Sequence, residues 1–122
     1  GAMHTVQPLL PALVARRAGR VVLVCSVAAF RGLPDSPAYC AAKAGLWAWG
    51  EALRGVLAPR GVGVTLLAPG FFTSAMSARY AGPHPGEVSA EAMAARLWRG
   101  VARGRAVVMA PAWLGWALRL LA

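Results

Sequence analysis

Lysine occurs once in this chain, at position 43, and acidic residues only four times. Twelve arginines then leave a net charge of +9 and a pI near 11.5. Such a balance raises nucleic acid or an anionic membrane as partners. The arginines are scattered, however, with Arg16, Arg17 and Arg20 the densest group, and aromatic residues do not interleave with them as on a base-stacking surface. Nucleic-acid binding is therefore not expected. Cysteine is limited to Cys25 and Cys40, a pair that matches no zinc spacing. Each sits beside an apolar run, so both are expected as buried thiols of a reducing, cytoplasmic compartment and no metal site is expected. No uninterrupted apolar run reaches the roughly 18 to 20 residues of a membrane span. The amino-terminal residues lack a basic stretch, and Pro8 and Pro11 interrupt them, which argues against a signal peptide. No G-x-G-x-x-G phosphate loop occurs in these residues.

What is present is enough for one apolar-rich domain. Of 122 residues, 58% are hydrophobic, and the mean hydropathy of +0.54 suits strands buried on both faces. Three short Val- and Leu-rich runs, 20–26, 61–68 and 105–110, read as such strands. Between them, Leu46, Trp49, Leu53, Val56 and Leu57 recur at helical spacing within 37–58, and Met93, Leu97 and Val101 within 90–103. Ser36 and Ser89 are placed as helix caps, Pro37 as a first-turn residue, and Pro59, Gly61 and Gly104 as stops. A leading helix is expected over about 4–17. The order predicts an α/β fold: a partial, Rossmann-like, doubly wound parallel sheet of about three strands with flanking helices. An open edge is expected on the first strand, and a flexible loop over 81–86. His4 and His84 read as surface or loop residues, Arg31 and Asp35 as loop charges, and Trp47, Trp49 and Trp98 as packing or interface residues.

The chemistry-bearing pattern is Tyr39 and Lys43, four apart at a helix start and so on one face. A phenol normally ionises near pH 10, and a fixed cation beside it favours the phenolate. The lone lysine is placed to supply that cation, leaving the phenol able to give or take a proton during carbonyl–alcohol interconversion. Ser26 ends the first strand, where open parallel sheets put functional residues, and its hydroxyl suits a developing charge on a substrate oxygen.

The segment from position 19 to 46, with Tyr-x-x-x-Lys at 39–43 and a serine thirteen residues earlier, resembles the short-chain dehydrogenase/reductase family. LLAPGFFTSAM at 66–76 resembles the same family's strand, Pro-Gly turn and hydroxyl residue. The resemblance covers about residues 1–110 and corresponds to the carboxyl-terminal half of the family. It implies Ser26, Tyr39 and Lys43 as catalytic residues, and NAD or NADP as cofactor. It implies cofactor contacts from Tyr39, Lys43, Pro69, Gly70, Phe72 and Ser74, the last standing where the family usually has threonine, with Thr73 just before it. The family's catalytic asparagine and glycine-rich loop would lie upstream of Gly1. Phe30, Leu33, Phe71 and Met76 flank these positions, so an apolar carbonyl or alcohol substrate is expected. A homodimer or homotetramer is the assembly that the resemblance implies. Rival readings are an epimerase or dehydratase of the same family, a non-catalytic interaction module, and membrane-surface contact through the Trp-rich tail 106–122.

Overall fold

The computed structural model describes residues 1–121. Three parallel strands, β1 (Arg20–Val24), β2 (Gly63–Pro69) and β3 (Val107–Ala110), form one sheet in the order β1-β2-β3. Val21 aligns with Val64 and Leu23 with Leu66, and Leu66 in turn with Val107. Helix α3 (Pro37–Leu57) connects β1 to β2, and α4 (Ala90–Ala102) connects the loop after β2 to β3. Two glycines fix how closely these helices approach. A Cβ on Gly50 of α3 would collide with the Leu23 and Leu66 side chains, and one on Gly100 of α4 with Val108. Leu66 aligns with Val107, the strand neighbour of Val108, and successive strand residues point to opposite faces. Hence α3 and α4 lie on opposite faces of the sheet, as in a doubly wound fold.

β2 is central and is buried along both faces from Val64 to Pro69. Its one buried polar side chain, Thr65, has no exposure and is fully used. The hydroxyl accepts from Arg20 Nη1 at 3.0 Å and donates to the Arg105 carbonyl at 2.7 Å, tying the amino ends of all three strands together. The expected open edge is present on β1. β1 is the terminal strand of the sheet, and its Val22 and Val24 side chains are 38% and 56% exposed, since α4 packs mainly on β3 and β2.

Two local expectations need correction. The leading helix is not continuous: α1 (Ala2–Val6) and α2 (Leu10–Arg16) are separated by a 3-10 turn at Gln7–Leu9. Pro8 and Pro11 each stand at the start of a new short segment, where the missing N–H costs nothing. Ser36 occupies the cap position of α3 without a side-chain cap bond, whereas Ser89 caps α4 by accepting from the Ala92 N–H at 3.1 Å. The apolar tail folds into α5 (Ala112–Leu120), which begins directly after Pro111. Leu114 joins the core and Leu118 packs against it, while Trp113 and Trp116, each 57% exposed, face outward. Among the described residues no helix is long and apolar enough to cross a membrane.

Candidate active site

β1 ends at Val24, although the Cys25 N–H still bonds the Leu67 carbonyl at 2.9 Å. Ser26 then turns the chain. Its hydroxyl accepts from the Ala28 N–H at 3.1 Å, capping a 3-10 turn at Val27–Ala29. That bond uses an oxygen lone pair and leaves the hydroxyl proton free for another acceptor. Tyr39 stands in the first turn of α3, half-buried, and shares with Ser26 the wall of a cavity of about 490 Å³. The cavity opens at the carboxyl ends of β1 and β2, the end at which open parallel sheets bind ligands.

Lys43 lies one turn further along α3 and is not a wall residue. Its ammonium sits 5.7 Å from the Tyr39 ring centroid and donates to the Val24 carbonyl at 3.0 Å. An ammonium has three donors, so two remain available. Burial pushes the neighbouring Cys25 thiol above its usual range, and the Lys43 charge partly offsets that. Cys25 and Cys40 are both free and buried, and the Leu33 N–H points at Cys40 Sγ at 3.3 Å.

The opposite wall comes from the segment after β2. Pro69, Gly70, Phe71, Phe72, Ser74 and Met76 all line the cavity, as does Leu33 from the loop before α3. Backbone bonds run from Val88 N to the Phe71 carbonyl and from Thr73 N to the Val88 carbonyl, so they skip the N–H and C=O of Phe72. Gly70 has a packing role as well: a Cβ there would stand 3.1 Å from both Leu114 and Pro111. The Ser74 and Ser77 hydroxyls cap each other's backbone N–H groups at 3.0 Å, while the Thr73 hydroxyl reaches Glu87 at 3.4 Å. Phe30 departs from expectation. Its ring packs edge-on against Trp47 at 4.8 Å and beneath Arg119, away from the cavity, because Trp47 is buried on α3 and draws it inward.

Residues 1–83 match the family model for short chain dehydrogenases. The chain belongs to that family. It is 39% identical over 111 residues to an uncharacterized oxidoreductase of Myxococcus xanthus, covering 91% of this chain and 44% of that protein. It is 37% identical over 70 residues to the ketoacyl reductase HetN of a Nostoc species, covering 57% of this chain and 24% of that protein. Among solved structures, a short-chain dehydrogenase from Burkholderia cenocepacia in complex with NADP superposes with a TM-score of 0.78 at 24% identity, over 88% of this chain and 44% of that one. A family member from Burkholderia phymatum in complex with NAD gives 0.79 at 20% identity, over 98% and 53%. These likenesses show the short-chain dehydrogenase fold. The chain spans less than half the length of the curated relatives named here.

Several wall residues of this family member escaped the sequence reading. Leu114 and Leu118 of α5 close one side of the cavity, and Arg79, Tyr80, Pro83 and Pro85 another. The first pair had a signal: two leucines four apart in an apolar tail share one helical face. The second group lies in an irregular segment with no periodicity to read. His84, expected as a surface or loop residue, does lie in the loop, where it pairs with Glu87 at 2.7 Å. Among the described residues, no group of three or more His, Cys, Asp or Glu side chains is placed to hold a metal.

Proposed function

We propose that the protein is the proton-transfer half of an NAD(P)-dependent oxidoreductase that interconverts an apolar ketone or aldehyde with its alcohol. One observation carries this reading. Ser26 and Tyr39 meet on the wall of one mainly apolar cavity, with the Lys43 ammonium behind the phenol ring. Ser26, already accepting from Ala28, has its own proton to donate to a carbonyl oxygen and so orients it. Tyr39 gives a proton to that oxygen in reduction and takes it back in oxidation. Lys43 favours the phenolate by its charge and has two donors left for a ribose. Leu33, Phe71, Leu114 and Leu118 exclude water around the reacting atoms and suit an apolar substrate.

The residues present fit one part of a nicotinamide cofactor. Phe72 lines the cavity next to Pro69 and Gly70, and its backbone N–H and C=O make no backbone hydrogen bond, which leaves a donor and an acceptor for a carboxamide. Pro69, Gly70, Phe72 and Ser74 would hold that end, and Tyr39 and Lys43 the adjoining ribose. When bound, the cofactor supplies or removes the hydride. Residues 1–122 correspond on this reading to the carboxyl-terminal half of the family domain, since the chain spans 44% of its Myxococcus relative and contains no glycine-rich phosphate loop. A cytoplasmic setting follows from the two free, buried cysteines. A homodimer or homotetramer follows from family membership. A second reading, a non-catalytic interaction module, is favoured by one observation: the apolar, open β1 edge at Val22 and Val24.

The test is NAD(P)H-dependent reduction of aliphatic and aryl ketones by the protein expressed from its full reading frame. Activity that falls by about two orders of magnitude or more in Tyr39→Phe is expected from loss of the acid–base group. Turnover that survives that substitution rejects the assignment. No turnover on any carbonyl, together with tight self- or hetero-association through β1, selects the module instead.

A further inference from the structure

The segment that forms the second cavity wall, 71–88, is closed at its base by the bonds between Phe71, Thr73 and Val88. Inside it three rings stack on one another. The Phe71 and His84 centroids are 4.9 Å apart at 12°, Phe71 and Tyr80 5.7 Å at 23°, and Tyr80 and His84 5.5 Å at 27°. Phe71 and Tyr80 line the cavity, as do Pro83 and Pro85 on either side of His84; His84 itself stands behind them. Both of its ring nitrogens face acceptors. Nδ1 is 2.7 Å from Glu87 Oε2, and Nε2 is 2.9 Å from the Tyr80 carbonyl oxygen. A neutral imidazole has a single N–H. Either neutral tautomer would therefore press one nitrogen lone pair against an oxygen. Only the imidazolium satisfies both partners.

We infer that His84 is a positioning residue for the substrate cavity: as imidazolium it clamps the Phe71–Tyr80 wall, and on losing its proton it releases that wall. Glu87 relays the clamp further, since its other oxygen accepts from Thr73 on the opposite arm of the segment. The titratable groups that bond or stack against His84 are Glu87 and Tyr80, with Arg79 next along the chain; Pro111 and the α5 residue Trp113, near the neighbouring Gly86, are not ionisable. The hydrogen bonds to the Tyr80 carbonyl, then to Glu87, raise the His84 pKa above the usual histidine value. A raised folded-state pKa means that the clamp is complete below the unfolded value, near 6.5, and is lost as pH rises through the folded value. Calling the cavity the substrate's rests on the reading above; the clamp does not.

The experiment is a pH titration of the protein expressed from its full reading frame, following the His84 ring nitrogens by NMR and the 71–88 amides by hydrogen exchange. His84 should titrate above about 6.5. Exchange in 71–88, corrected for its intrinsic pH dependence, should rise by roughly tenfold between about pH 5.5 and 8.5, as expected when a local clamp opens. His84→Phe keeps a ring in the stack and should abolish that pH dependence, while Glu87→Gln should lower the His84 titration point. A His84 that titrates at or below 6.5, or a pH-dependent loop in His84→Phe, overturns the inference. In the active protein, KM for the carbonyl substrate should rise over the same pH range, leaving kcat nearly constant, and His84→Phe should flatten the KM profile. A positive titration without any turnover would leave the clamp standing and remove the oxidoreductase reading.

Discussion

The two walls of the cavity are built in different ways. One holds Ser26 and Tyr39 on the seam between β1 and α3, with Lys43 one turn beyond the wall, and Gly50 lets α3 press directly onto Leu23 and Leu66. The other is the irregular segment 71–88 with α5 folded over its base, held by ring stacking, hydroxyl caps and one ionisable pair. Regular elements position side chains by ladder bonds and dense packing, which resist displacement. Loop walls rest on fewer and more exposed interactions and open at lower cost. The seam therefore suits chemistry that fails with small misplacements, and the loop suits recognition.

Substitutions that act on one wall alone sharpen this contrast. The largest expected effect is on the seam. Tyr39→Phe should lower kcat by about two orders of magnitude or more, equivalent to about 2.7 kcal/mol or more of barrier, with KM little changed. A rise in KM alone, with kcat retained, would move the chemistry away from the seam. Next comes Leu114→Ala, where α5 meets the core. Leu114 is 6% exposed and also lines the cavity. Its truncation should cost about 2 to 3 kcal/mol in denaturant unfolding and widen the cavity at its base. Stability unchanged within about 0.5 kcal/mol would show that α5 is not part of the cooperative unit.

The same division decided what could be read from the amino acids. The seam was legible because both of its signals are periodic or spaced: a Val-rich run that alternates into β1, and Tyr39 and Lys43 one turn apart on α3. The succession of elements along the chain and the open β1 edge followed from the alternation of strands and helices. The loop wall was largely illegible, since the stack of Phe71, Tyr80 and His84 depends on how 71–88 folds back to Val88, a contact with no local pattern. Phe30 shows the limit from the other side. Its position between Ser26 and Tyr39 suggested the cavity, but Trp47, buried in the core on α3, claimed the ring. Helix α5 was obscured by Pro111, which reads as a breaker in a run and serves here as the residue before a first turn.

Two smaller effects complete the contrast. Ser89 caps α4 through the Ala92 N–H, outside both walls, so Ser89→Ala should cost about 1 kcal/mol of stability with kcat and KM unaltered. A kinetic effect there would couple α4 to the cavity, contrary to the division drawn above.

Met76 should give the smallest change. It is 62% exposed yet contributes to the cavity rim from the loop wall. Exposed side chains of this kind contribute within about 0.5 kcal/mol to stability, so Met76→Ala should leave unfolding unchanged. Its flexible thioether still offers apolar surface to a substrate, and its loss should raise KM for long apolar carbonyls by about threefold while sparing short ones. A uniform effect on all chain lengths would instead mean that Met76 shapes the segment as a whole, because a rim contact is made only by substrates long enough to reach it.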